Sequence, residues 1–340
     1  MHSNLPWRAL VAAALSCLLG ACAVIEATSG GSAGGSPPQP RVQYRTAVVK
    51  GIRIFYREAG DPRKPTLLLL HGFPSSSHMY RELIPLLSND FHLVAPDYPG
   101  SGFSEAPAAE TFAPTFDNLA DVMAAFVAQV GLQRYTLYLQ DFGGPVGLRM
   151  AVKNPAAVEG LVIQNANAYV EGIAPDQLDG MRARARGLTP EGRRQVEQLV
   201  SRDFTLFMYR TGSRDFASVD PTGWNLDALL LENPEARRIQ VGLMSDYFSN
   251  VLDYPRWQAF LRTRPLKTLI VWGRNDPIFL PAGAHAYLRD IPGARLRFLD
   301  TGHFALEEDV LEISREIRAM FADRQVHAGL ASRRNTASGD

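Results

Sequence analysis

Tyr135-Thr-Leu-Tyr-Leu-Gln-Asp-Phe-Gly-Gly-Pro-Val-Gly147 alternates apolar residues up to Gln140-Asp141, passes two glycines, and resumes with helical spacing at Val146. The pattern is strand, sharp turn, helix. A turn this tight holds its central side chain at the strand tip and needs small neighbours so that the next helix can pack close. Asp141 occupies that tip. It either caps the helix, a position aspartate favours, or faces a cavity. What stands at the other strand ends decides between the two.

Upstream, Arg41–Lys50 and Ile52–Glu58 alternate around Lys50-Gly51, which reads as a tight hairpin. Thr66–Leu70 is continuously apolar, as in a strand covered on both faces, and empties into His71-Gly72-Phe73-Pro74. A helix is expected over His78–Leu87 and a strand over Phe91–Pro96. From Phe116, the residues Leu119, Val122, Met123, Phe126, Val127 and Val130 share a helical face that stops at Gly131. Downstream a helix runs to Lys153 and a strand covers Gly160–Gln164.

Repeated β-α-β units with buried strands imply a parallel sheet with right-handed crossovers. The alternation is lost between Tyr169 and Arg264, where charged and aromatic residues mix at helical spacing. It resumes at Thr268–Trp272, runs into Gly273-Arg-Asn-Asp-Pro277, and passes a helix near Ala282–Arg289 to the strand Arg295–Leu299. Gly302-His303-Phe304 follows, then a helix with Val310, Ile313, Ile317, Met320 and Phe321 on one face. The expected organisation is an α/β core over residues 41–168 and 265–322, with a mostly parallel eight-stranded sheet flanked by helices. A helical cap over 169–264 follows the sixth core strand, and residues 323–340 form a disordered tail.

The 340 residues carry 35 Lys+Arg against 35 Asp+Glu and are 46% hydrophobic. That composition supports a large core, and its balanced charge does not direct the chain to nucleic acid. Cys17 and Cys22 are the two cysteines, so the folded body has no thiol for disulfide or metal work. Arg8 precedes an apolar run from Ala9 to Leu19, short for a membrane span, which ends Leu19-Gly20-Ala21-Cys22. This resembles a bacterial lipoprotein signal: residues 1–21 are removed and Cys22 is lipidated. Residues 22–40, rich in Gly, Ser and Pro, then tether the body to the membrane. Ala23 after the cysteine implies the outer membrane facing the periplasm. An uncleaved anchor or an ordinary signal peptide is the alternative.

Asp141, Asp276 and His303 stand at or just beyond the carboxyl ends of three strands, the edge where ligands bind in open α/β sheets. Singly, Asp276 reads as a turn residue before Pro277 and His303 as a core histidine. Jointly, coincidence would have to place three such groups at matching strand ends. The backbone N–H groups of Phe73 and Phe142 are candidates for an oxyanion hole, and His71 reads as structural. No H-E-x-x-H spacing occurs, so neither a metal nor another cofactor is expected.

H-G-F-P at 71–74, Q-D-F-G-G at 140–144, W-G-R-N-D-P at 272–277 and T-G-H-F at 301–304 together resemble the α/β-hydrolase branch that holds epoxide hydrolases and haloalkane dehalogenases. The likeness runs from Arg41 to Phe321. It implies that Asp141 is a nucleophile forming an ester with a small-molecule substrate, and that His303, oriented by Asp276, activates the water that cleaves the ester. Asn165 and Asn167 lie where some dehalogenases keep their acid, and asparagine cannot play that part. Dehalogenases of this branch hold the halide with N–H donors. The side chains of Phe142 and Phe73 offer none, which leaves Trp224 or Trp257. Epoxide hydrolases use cap tyrosines as acids; of Tyr169, Tyr209, Tyr247 and Tyr254, the expected pair is Tyr247 and Tyr209. Epoxide hydrolysis is therefore the first expectation and dehalogenation the second. A catalytically idle binding lipoprotein is the rival from outside enzymes.

Overall fold

In a computed structural model the chain is described over residues 41–322. The expected leader over 1–21, the lipidation site Cys22, the linker 22–40 and the tail 323–340 lie outside the described residues.

The eight strands are β1 (Gln43–Val49), β2 (Ile52–Ala59), β3 (Thr66–Leu70), β4 (His92–Pro96), β5 (Tyr135–Gln140), β6 (Val158–Gln164), β7 (Lys267–Gly273) and β8 (Arg295–Leu299). They form one sheet in the order β1-β2-β4-β3-β5-β6-β7-β8. β2 pairs antiparallel with β1 and β4, and every other neighbour is parallel. Lys50 and Gly51 turn the first hairpin with φ of 50° and 82°, the left-handed pair that a two-residue hairpin loop requires. β3, β4 and β5 are buried along their whole length, which explains their unbroken apolar character.

Core helices before the sixth strand are α1 (Leu83–Leu87), α2 (Phe116–Gln129) and α3 (Gly143–Lys153). Between β6 and β7 come α4 (Pro175–Ala185), α5 (Pro190–Leu199), α6 (Arg202–Arg210), α7 (Pro221–Leu230), α8 (Pro234–Asp246) and α9 (Phe248–Thr263). The last two are α10 (Pro281–Asp290) and α11 (Leu306–Phe321). α2 buries Phe116, Leu119, Met123 and Phe126 completely, each contributing about 1.5–3 kcal/mol relative to exposure.

The helix expected over His78–Leu87 is divided. A 3-10 turn spans Ser77–Tyr80, capped by the Ser76 hydroxyl accepting from the His78 N–H at 3.3 Å, and α1 starts afresh at Leu83. Pro85 has no N–H with which to continue an upstream helix, but it is harmless in the first turn of a new one.

The chain order matters at one place. β3 leads leftward to β4, whereas β5 lies on the other side of β3. The loops after β3 and β5 therefore part at a switch point, where an open parallel sheet leaves a crevice. His71-Gly72-Phe73 and Asp141-Phe142 are those loops.

Candidate active site

Asp141 directly follows β5 with φ of 46°, a left-handed conformation costly for a residue with a Cβ. It is not a helix cap, since α3 begins after Phe142 without any side-chain cap. Its carboxylate turns the other way. Oδ1 accepts from the Phe73 N–H at 2.7 Å, and the Phe142 N–H stabilises the same carboxylate. The approach of the two loops demands glycine at position 72, where a Cβ would collide with the Asp141 side chain. Gly143 is under a similar constraint from the Leu70 carbonyl.

Asp141 Oδ2 points to His303, whose Nε2 is 3.8 Å away. On the far side of that ring, Nδ1 lies 3.0 Å from Asp276 Oδ2. Asp276 is also the turn residue its sequence suggested, because Oδ1 accepts from the Ile278 N–H at 2.7 Å. One oxygen shapes the loop and the other orients the imidazole. All three groups are buried, His303 completely. His71 is likewise interior, with Nε2 accepting from the Tyr98 N–H at 3.2 Å, and burial drives its pKa down to about 4, which keeps it neutral.

Burial pushes the Asp141 carboxyl up to about 6, against the lowering influence of His303 and the two N–H groups. For His303, burial opposes the charged form, but Asp276 and Asp141 more than offset it, so its pKa stands above the ordinary imidazole value. The two groups hold each other in their charged forms.

Two residues that the sequence reading named without giving them a part in the site belong to it. Asn165, with φ of 45°, donates from Nδ2 to Asp276 Oδ2 at 2.7 Å and accepts the Gly273 N–H at 3.1 Å; it cannot be the acid, but it holds the acid. Gln140 places its amide nitrogen 3.1 Å from His303 Nε2. Their positions at the ends of β6 and β5 are the only signal the sequence offers.

The expected cap tyrosines separate. Tyr247 lines a cavity of about 640 Å³ that opens onto Asp141, Phe73 and Phe142, with its ring among Phe116, Phe142 and Phe279. Its hydroxyl is buried beside the Tyr254 hydroxyl, each phenol affecting the other's pKa, and neither makes a hydrogen bond of ordinary geometry among the described residues. Burial, with Tyr254 and Asp141 adding to it, pushes the phenol well above its usual value, so it remains a donor. Tyr209 is not brought to the cavity. Along α6 the residues Phe204, Phe207 and Met208 face the cavity, and the next position turns about 100° away. The Tyr209 hydroxyl is committed to Asp227 Oδ2 at 2.7 Å, and its ring stacks on Phe304 with centroids 4.0 Å apart. Trp224 and Trp257 do not line the cavity either. Trp257 is wholly buried against Tyr254 and Arg149.

Comparison with known proteins identifies the fold family. The family described as alpha/beta hydrolase fold matches residues 65–310. An uncharacterized hydrolase of Saccharomyces cerevisiae is 38% identical over 283 residues, which is 82% of this chain and 97% of the yeast protein. Haloalkane dehalogenase 2 of Mycobacterium tuberculosis is 42% identical over 113 residues, 33% of this chain and 38% of the relative. Among solved structures, haloalkane dehalogenase DbeA from Bradyrhizobium elkani superposes with a TM-score of 0.69, covering 85% of this chain and all of its own at 21% identity. That last likeness concerns the fold.

Proposed function

The chain belongs to the alpha/beta hydrolase fold family, and from that premise we propose that this hydrolase opens epoxides through an ester formed on Asp141. One observation carries the reading: the two oxygens of a single buried carboxylate are divided between an oxyanion-hole N–H and a histidine. Oδ2 attacks a ring carbon, the ring C–O bond breaks, and its electron pair passes to the ring oxygen. The protonated Tyr247 hydroxyl serves that oxygen. His303 Nε2 then takes a proton from water, and the water oxygen adds to the Asp141 carbonyl carbon. The negative charge appears on Oδ1, which already accepts from the Phe73 N–H, with the Phe142 N–H acting on the same carboxyl group. Collapse breaks the bond between the Asp141 carboxyl carbon and Oδ2. The departing alkoxide takes the proton held on His303, the proton of the new carboxyl returns to the Tyr247 oxygen that gave up its own to the ring oxygen, and the diol leaves an ionised Asp141.

The electrostatics suit the order of events. While Asp141 is charged it raises the His303 pKa. Ester formation removes that charge, so the imidazole loses a reason to stay protonated at the moment a neutral base is needed. The acid limb has a definite sign: Asp141 is a nucleophile only when ionised, and its carboxyl is raised to about 6. The rate of the first turnover should therefore fall as pH drops through about 6. A first-turnover rate that is flat down to the ordinary aspartate range would contradict this.

Dehalogenation is the second reading, favoured by the partial match to a haloalkane dehalogenase. Tyr247→Phe separates the two in a panel of epoxides and haloalkanes. Loss of the acid should cut epoxide turnover by about 10²-fold or more and affect halide release much less. A wild-type enzyme that releases halide and leaves every epoxide untouched would favour the second reading.

A further inference from the structure

The charged residues lining the cavity are Asp141, Asp176 and Arg184. Arg184 stands out. Gln177, Gly180, Met181 and Arg184 follow one another at the spacing of a single helix face, and all line the cavity. α4 contains no fully buried residue, because this inner face looks into open space and not onto the core. The guanidinium folds back over Gly180, where a Cβ would come within 3.2 Å of Nη1. Its Nε is buried without a partner among the described residues. Arg182, on the outer side of the same helix, is bound to Asp179 at 2.8 Å.

Burial alone lowers the Arg184 pKa, with no contribution from any carboxylate. Asp176 sits in the first turn of α4 and Arg184 in the last, about 12 Å apart along the axis. Asp141 contributes nothing to that pKa either, although both residues line the same cavity. A partly desolvated cation with no counterion is unfavourable until a ligand supplies one, and a guanidinium matches the two oxygens of a carboxylate in a forked pair. Gln177, Gln195 and Gln198 add amide groups to the same cavity lining.

We infer that the substrate carries an anionic head group, in the simplest case a carboxylate, which Arg184 receives at the cap end of the cavity while the electrophilic carbon meets Asp141. This rests on the reading of Asp141 given above. Apolar residues, among them Phe204, Phe207, Met208 and Met244, line the same cavity and suit an aliphatic chain joining the two ends. The 640 Å³ lies inside the range of sites for ligands well above the size of a short haloalkane. The same placement keeps the substrate's negative charge away from the nucleophile's.

The test compares a medium-chain terminal epoxide ending in a carboxylate with its methyl ester. Wild-type enzyme should prefer the acid by about tenfold in kcat/KM, expressed mainly in KM. Arg184→Gln should bring the ratio of the two substrates close to one, and Arg184→Lys should retain part of the preference. Equal turnover of acid and ester by the wild type, which needs no variant, would overturn the inference and leave the ester mechanism standing. So would a preference that survives in Arg184→Gln. If neither compound is turned over and neither modifies Asp141, the covalent reading itself fails and the inference falls with it.

Discussion

Substituting glutamine for His303 should leave an enzyme that reacts once and stops. Glutamine approximates the bulk of the imidazole but cannot take a proton from water at neutral pH, so attack by Asp141 proceeds and release does not. One equivalent of substrate is consumed, and steady-state turnover falls on the order of 10³–10⁴-fold. Mass spectrometry of the peptide containing Asp141 identifies the chemistry. An epoxide adds its entire mass, because ring opening expels nothing, whereas a haloalkane adds its mass less that of the hydrogen halide. Residual slow turnover with no modified peptide would mean that water attacks the substrate directly.

Asp141→Asn should lose turnover by on the order of 10⁴-fold or more and yet fold more stably. The asparagine oxygen can still accept the Phe73 N–H that Asp141 Oδ1 accepts now, so the loop pairing survives. The buried charge disappears. The Asp141 carboxyl is raised in the folded state, so the folded protein binds its proton more tightly than the unfolded chain does. Ionising it therefore costs stability, and that cost sets in as pH rises above the ordinary aspartate value, grows towards pH 6 and is complete at neutral pH. Removing it should raise stability at pH 7 by on the order of 1–3 kcal/mol, less whatever His303 loses with its partner. Thermal melts of the two proteins at pH 7 and at pH 5 check the sign, since the gap should shrink at the lower pH. A variant less stable at both values would show that the charge is well solvated.

The sheet and its strand-end motifs were legible because each depends on a local pattern: continuous apolar strands, glycines where two loops touch, and an aspartate before a proline. The site's supports were not. Asn165 reaches Asp276 across 111 positions and Gln140 reaches His303 across 163, and neither pairing leaves a periodic trace. The segment before α1 misled because its apolar spacing is helical while Pro85 interrupts the hydrogen-bond ladder. Tyr209 misled for a related reason, as one residue's rotation on α6 separates the cavity from the packing beneath it.

The region between β6 and β7 carried more information than strand–helix alternation extracts. Thr189-Pro190, Asp220-Pro221 and Asn233-Pro234 each pair a capping residue with a proline at the first helical position, and in each the side chain accepts from the following turn. These are start signals. They mark α5, α7 and α8, but not which face of each helix looks inward.

The Phe73 N–H is already engaged by Asp141 Oδ1 before any substrate arrives, and this bears on how the protein can be labelled. In a serine hydrolase the corresponding donors stand free for boronates, phosphonates and trifluoromethyl ketones, whose adducts need a hydroxyl to add to a boron, phosphorus or carbonyl centre. Here, on the proposed mechanism, the place is held by the attacking group itself, and no serine hydroxyl stands at the strand tip. Reagents that succeed will be alkylating ones, such as epoxides or strained rings that carry their own leaving atom. Fluorophosphonate profiling would pass over this hydrolase altogether.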